Sequence, residues 1–219
     1  MATFLFDKII FGPVKSRRLG VSLGINLLPA TRKVCNFDCI YCECGWTQSS
    51  ESSKEKLPER KEVYDALNRQ LQFMKEKKQA PDVITFAGNG EPTMHPDFPG
   101  IIDDCIELRD KYFPNAKIAV LSNSTSIRKP SILEALKKVD QNILKLDSAF
   151  DLTIQLHNQP KVNLKVDELI NDLSKLRGDL IIQTLFLRGT YKGKQVDNTI
   201  PEEINAWLEA IKKIRPSQV

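Results

Sequence analysis

The chain has no uninterrupted apolar run near the roughly 18 residues that a membrane-spanning helix needs, and its longest apolar clusters are broken by Lys, Asp or Gln. A bilayer-crossing helix is therefore not expected. It also lacks a long polar tract: 12 prolines and 10 glycines are spread along 219 residues that are 41% hydrophobic, which argues against disorder, collagen-like repeats and linker-dominated architecture. Charge of one sign is scarce too. Thirty-two basic residues against 28 acidic leave +4, and the denser patches (Lys54, Lys56, Arg60, Lys61 and Lys75, Lys77, Lys78) read as solvated helix flanks before they read as a nucleic-acid surface. In the opening MATFLFDKIIFGP, Asp7 and Lys8 break the apolar run before any small-residue cleavage site, so a cytoplasmic, reducing location is expected. There an odd count of five cysteines, three of them within eight residues, points to metal binding or catalysis and away from a disulfide framework.

What is present is a βα rhythm. Residues 61–78 put Val63, Leu67, Leu71 and Met74 at helical spacing and stop before Pro81; 82–88 (DVITFAG) reads as a buried strand. Helix 96–113, strand 117–123, helix 131–139, strand 142–147, helix 166–176, strand 179–186 and helix 201–214 follow, the last opening on Pro201. An earlier strand is expected where Val21, Leu23, Ile25 and Leu27 alternate with smaller residues, and a polar loop, 43–60, separates it from the first helix. Continuous aliphatic strands belong to parallel sheets covered by helices, so the fold class is α/β in a single domain spanning 1–219. Ligands gather at the carboxyl ends of such strands; the loops starting at Gly88, Asn123, Asp147 and Leu187 should converge on one site.

Cys35, Cys39 and Cys42 lie in CNFDCIYC, a C-x3-C-x2-C spacing at the end of the first expected strand. A closed zinc site wants four ligands, and no second C-x2-C pair exists in the sequence. Three thiolates on one short loop can instead hold three irons of a [4Fe-4S] cubane and leave the fourth open to chemistry.

This loop, followed by a βα series with GNGEPT after its second strand, resembles the radical S-adenosylmethionine enzymes. The likeness extends to GPVKSRRLGVSLGINL, GNGEPTMHPDF and IIQTLFLRG followed by VDNT, which are similar to iron-sulfur oxidoreductases related to the wyosine-synthesising tRNA enzymes, and it covers nearly the whole chain. The resemblance implies a partial (β/α) barrel of parallel strands covered by helices. It further implies a cluster held by Cys35, Cys39 and Cys42, with S-adenosylmethionine on the open iron. Tyr41 would lie against the adenine. Gly88, Asn89, Gly90 and Glu91 would receive the methionine ammonium, glycines permitting close backbone approach and Glu91 giving a negative partner. Ser122, Asn123, Asp147 and Gln183 would meet the cofactor from later strand ends.

The implied reaction is reductive cleavage of S-adenosylmethionine by one electron from a flavodoxin or ferredoxin. The resulting 5′-deoxyadenosyl radical abstracts hydrogen from an RNA base, a peptide or protein, or a small metabolite. Members of the resembled group continue past residues 211–219 with another strand, so the barrel is expected to lack its last strand and to have a wide mouth.

Each feature also has a plainer reading. The triple can be a zinc knot or plain thiols, and the chain a non-catalytic iron-sulfur or zinc-binding module. Cys44 can close the cluster as a fourth ligand, although a one-residue gap strains wrapping around a cubane. Cys105 reads as a buried helix residue. His95 and His157 are proton donors or capping and contact residues; Arg17 and Arg18 hold a carboxylate or phosphate, or merely face solvent; Trp46 marks a contact surface or packs the cysteine loop down.

Overall fold

The segment Val83–Phe86 is buried at all four positions, as a strand covered on both faces must be, and it lies in the middle of a sheet. In the computed structural model, which describes residues 4–47 and 56–219, six strands pair in chain order. They are β1 (Ile10–Ser16), β2 (Gly20–Ile25), β3 (Val83–Phe86), β4 (Lys117–Ser122), β5 (Gln141–Lys145) and β6 (Ile181–Gln183). From β2 to β6 every pairing is parallel, with Leu23 beside Ile84, Ile84 beside Ile118, Val120 beside Asn142 and Leu144 beside Ile182. Helices α1 (Arg60–Glu76), α2 (Phe98–Tyr112), α3 (Pro130–Leu136), α4 (Asp151–His157), α5 (Val166–Leu173) and α6 (Pro201–Ile214) fill the crossovers. No helix among the described residues is long and apolar enough to cross a membrane.

The two faces of the sheet do different work. Leu23, Ile25, Ile84, Phe86, Ile118, Val120, Leu144 and Ile182 join the large core with Val63, Leu67, Leu71 and Met74 of α1 and with Ile101, Ile102 and Leu108 of α2. Residues of the opposite parity face inward, where Val83, Ala119 and Ile143 make a small separate cluster with Leu19, Leu121 and Ile181. Ser22 and Thr85 share a hydroxyl hydrogen bond of 2.8 Å on that inner face.

Several elements differ from expectation. β1 is antiparallel to β2, an edge strand whose mostly exposed residues gave no hydrophobic alternation to read. It fits closely: a Cβ on Gly24 would stand 2.1 Å from the Phe11 ring. α4 was not anticipated, nor was the hairpin of β7 (Arg188–Tyr191) and β8 (Lys194–Asp197), whose turn puts Lys192 and Gly193 at φ of 50° and 75°. β6 is shorter than the expected 179–186. Its outer edge carries a short parallel ladder from the C-terminal segment: Ser217 N–H donates to Leu180 C=O and Ile182 N–H to Gln218 C=O, both at 2.9 Å. The middle of the expected polar loop, 48–55 with Lys54, lies outside the described residues.

Candidate active site

The cysteine loop is stitched down on two sides. Val34 N–H donates to Asn89 C=O at 2.9 Å and Glu91 N–H to Val34 C=O at 3.0 Å, which fastens it to the glycine loop after β3. On the other side Asp38 N–H donates to Asn158 C=O and Ile40 N–H to His157 C=O, both at 2.9 Å, where the chain leaves α4. A cavity of about 170 Å³ lies between these walls. Cys35, Cys39, Cys42 and Tyr41 line it together with Gly88, Gly90, Glu91, Ser122, Asn123 and Gln183. Ten of the twelve residues singled out in sequence thus meet around one space. The loops from Gly88 and Asn123 converge there; the one from Leu187 instead enters the β7–β8 hairpin, whose Tyr191 meets Trp46 at 6.2 Å between ring centroids.

The other two candidates face elsewhere. Asn89 is fully buried, its Oδ1 accepting from Phe6 N–H and its Nδ2 donating to Phe6 C=O and Pro29 C=O, all at 2.8 Å, so it clamps the N-terminal segment. Asp147 lies under Tyr41. It accepts the Tyr41 hydroxyl, Asn158 Nδ2 at 2.6 Å and Leu185 N–H at 2.9 Å, and it supports the tyrosine without reaching the cavity wall. Lys145 Nζ donates to the Tyr41 hydroxyl at 3.0 Å and stands 5.2 Å from the ring centroid, so the ring is held at both edge and face.

Glu91 is buried, and burial pushes its carboxyl upward in pKa against the hydrogen bonds it accepts. Those come from Asn123 N–H at 2.6 Å, Thr93 N–H at 3.1 Å and Thr93 Oγ1 at 2.6 Å. The glycines beside it are required by packing: a Cβ on Gly88 would meet Asn26 Oδ1 at 2.5 Å, and one on Gly90 would meet the Val34 carbonyl oxygen at 1.9 Å.

Around the sulfurs the donors are specific. Cys35 Sγ accepts from Phe37 N–H at 3.3 Å and Asn123 Nδ2 at 3.7 Å, and Cys39 Sγ from Asn158 Nδ2 at 3.3 Å. Burial pushes the Cys35 thiol up to about 12 and raises Cys39 as well. Cys42 is pulled down to about 6, first by the hydrogen bond from Cys44 and then, against burial, by the charge of Lys33. Lys33, unforeseen from sequence, is buried in the wall with its Nζ 3.1 Å from Asp38 Oδ1 and 3.0 Å from Gly45 C=O. Burial works against its charge, and the neighbouring Cys42, Cys35 and Asp38 more than restore it. The Cys44 sulfur lines the same cavity, 3.5 Å from Gly88 C=O.

This donor set fits a cubane. No three Cys, His, Asp or Glu among the described residues close around one point as a single metal ion would require, whereas a cluster spreads its corners over separate irons. Three thiols, N–H donors to two of them and a buried cation beside them suit an anionic iron-sulfur group. The remaining candidates are structural in placement. His95 Nε2 meets Pro58 C=O at 2.8 Å while its Nδ1 accepts Asp97 N–H at 3.1 Å; His157 is buried in α4, and neither ring nitrogen has a hydrogen-bond partner among the described residues; Cys105 is buried in α2.

Comparison with known proteins agrees with this geometry. The chain is 29% identical over 214 residues to a UPF0026 protein of Methanocaldococcus jannaschii, covering 96% of this chain and 61% of that one. It spans 30% and 61% of the lengths of the first two curated relatives it matches. In fold it is similar to a radical SAM methyltransferase from Sphaerobacter thermophilus (TM-score 0.64, 11% identity, covering 90% of this chain and 54% of that one). It is also similar to TYW1 with a lysine-pyruvate adduct bound (TM-score 0.58, 18% identity, 88% and 61%). The family model for the radical SAM superfamily matches residues 31–200, a span that holds the cysteine loop and the glycine loop together, and the chain belongs to that superfamily, whose enzymes use a [4Fe-4S] cluster and S-adenosylmethionine.

Proposed function

We propose that this chain holds a [4Fe-4S] cluster through Cys35, Cys39 and Cys42, cleaves S-adenosylmethionine reductively, and removes a hydrogen atom from a substrate. When bound, the two groups supply one-electron scission of the sulfonium carbon–sulfur bond and a 5′-deoxyadenosyl radical as the hydrogen acceptor. The protein's own residues bind, orient and shield. Lys33 offsets the charge of the thiolates, and the amides of Asn158, Asn123 and Phe37 donate to sulfur. Glu91 presents a carboxylate fixed by Asn123 and Thr93 as the partner for an ammonium. Ser122 and Gln183 stand in the wall as neutral hydrogen-bonding groups for a carboxylate or ribose hydroxyls. Tyr41 offers a ring face already immobilised by Asp147 and Lys145, so little ordering remains when an adenine meets it.

One observation carries the reading: the cysteine loop and the glycine loop are paired backbone to backbone and open on a shared cavity. The electron is expected from a flavodoxin- or ferredoxin-type donor, since the thiol loop supplies a place for an electron but no source of one.

Anaerobically reconstituted protein with dithionite should form 5′-deoxyadenosine from S-adenosylmethionine. C35S, C39S and C42S should each abolish it and lower the iron content, while C44S keeps both. An intact cluster without product would make the chain a binding module and defeat the proposal.

A further inference from the structure

A second cavity adjoins the cysteine cavity. Arg17, Arg18, Lys145, Tyr41, Gln183 and Thr184 line this space of about 370 Å³, and Tyr41, Lys145 and Gln183 belong to both spaces. Among the described residues no Asp or Glu lines it. We propose that this second cavity is the substrate subsite and that Arg17 and Arg18 bind an oxyanion, phosphate or carboxylate, on a small-molecule substrate. Its reacting carbon then faces the end shared with Tyr41. The inference rests on the radical reaction proposed above and adds to it the class of substrate.

Three observations support it. Arg17 and Arg18 take no carboxylate among the described residues, and unlike Arg69, Arg177 and Arg215, which also take none, they line a cavity together. Lys145 is 3.6 Å from Asp147 and so is largely compensated, which leaves the two guanidinium groups as the open positive charge of the cavity.

The turn that carries them is also fixed in advance. Ser16 Oγ accepts Arg18 N–H at 3.4 Å and Leu19 N–H at 3.1 Å, Leu19 packs onto the inner face with Ala119 and Ile143, and Asp82 Oδ2 accepts Val21 N–H at 2.7 Å. The turn fixes where both side chains start, at the wall of the cavity, and their exposed guanidinium forks match planar or tetrahedral oxyanions. Finally, about 370 Å³ is the size of a site for one small metabolite.

The test is calorimetric titration of the cluster-reconstituted full chain, under anaerobic conditions, with pyrophosphate and separately with citrate. At least one should bind saturably, and the arm that binds tells phosphate from carboxylate. R17Q/R18Q should weaken that binding at least tenfold, while K61Q/K138Q, which removes the same charge from distant exposed positions, leaves it unchanged. Cluster absorbance and S-adenosylmethionine binding should match wild type in both variants. The proposal is overturned if neither anion binds saturably, if R17Q/R18Q keeps its affinity, or if the control loses as much. Absence of 5′-deoxyadenosine with anion binding intact would count against the radical reaction alone, because the titration reads binding and not turnover.

Discussion

Replacing Gly90 with alanine asks whether the glycine loop and the cysteine loop behave as one unit. Gly90 sits at a φ of 138°, a region an L side chain rarely enters, and its added Cβ would stand 1.9 Å from the Val34 carbonyl oxygen and 2.6 Å from the carbonyl carbon. Cβ contacts below 3.0 Å essentially never occur, so the two backbones must part by about 1 Å. That motion strikes the hydrogen bonds from Val34 to Asn89 and from Glu91 to Val34. Backbone strain of about 1 kcal/mol and roughly 1 kcal/mol for each bond give a loss near 3 kcal/mol, or about 6–12 °C in Tm for a chain of this length. Two controls separate the causes. Gly193, at φ 75° with nothing within 4 Å, should cost only about 1 kcal/mol as alanine, and Gly189, equally open and without a positive φ, less than about 0.5 kcal/mol. Val34 precedes Cys35, so the same displacement moves a proposed ligand; iron content should fall, and 5′-deoxyadenosine formation should drop on the order of 100-fold. Calorimetric melting of the three variants beside iron analysis decides the matter. Should G90A melt together with G193A and retain a full cluster, the two loops are not mechanically joined and the site as described is wrong.

Leu71 of α1 is fully buried in the main core, and L71A should lose about 2–5 kcal/mol in urea unfolding while leaving the iron spectrum of the folded protein unaltered. His157 is buried with neither ring nitrogen bonded among the described residues, and burial lowers its pKa beneath 6.5. The unfolded chain therefore takes up the proton first: stability is full above pH 6.5 and declines as pH falls from there toward the folded value. H157L should flatten that slope between pH 7.5 and 5, and a slope of equal size in the variant would refute the assignment. Asn158→Leu removes donors from Asp147 and from Cys39 Sγ together, so it should cost roughly 1–3 kcal/mol and, in reconstituted protein, move the cluster potential to more negative values in a redox titration followed by electron paramagnetic resonance.

The elements that could be read in advance are those whose burial is periodic. Val63, Leu67, Leu71 and Met74 mark one stripe of α1, and all four are in the core. β3 shows itself as an unbroken aliphatic run because both of its faces are covered. β1 carries no such mark, since an edge strand paired on one side leaves Val14 and Lys15 in solvent. α4 is too short for its two buried residues, Ile154 and His157, to establish a period. The β7–β8 hairpin buries only Val196, and its register is set by a Lys-Gly turn that sequence alone does not distinguish from an ordinary loop.

The site was legible to the same extent and for a related reason. Spacing along one loop locates the three sulfurs, and the rule that strand ends face a common mouth locates the loops from Gly88 and Asn123, whereas Ser122 and Gln183 follow only from the family resemblance. Neither says which way a side chain turns at the end of a strand. Asn89 and Asp147 were placed at the right height and are spent on clamping Phe6 and Tyr41. Lys33, Lys145 and Asn158 came without any motif, because each is a single residue whose role exists only once distant loops meet.

Their presence shows how the fold divides its tasks. Lys33, Glu91, Asp147 and Asn158 are all buried, and each such group costs stability unless every polar atom finds a partner. The outer face of the sheet, with its aliphatic strands against α1 and α2, supplies the free energy that tolerates this concentration of polar groups at the strand ends. The inner face is itself closed, with Ala119 packed among Val83, Ile143 and Leu19 and the Phe11 ring over Gly24, so open volume is left only at the strand ends, where Ser16, Thr184 and Leu185 bound the second cavity. Enlarging a residue that lines it is therefore a direct probe: L185W should leave α1 and α2 packed as before yet reduce anion binding in the second cavity. If the affinity were untouched, that cavity would not be the space that a substrate occupies.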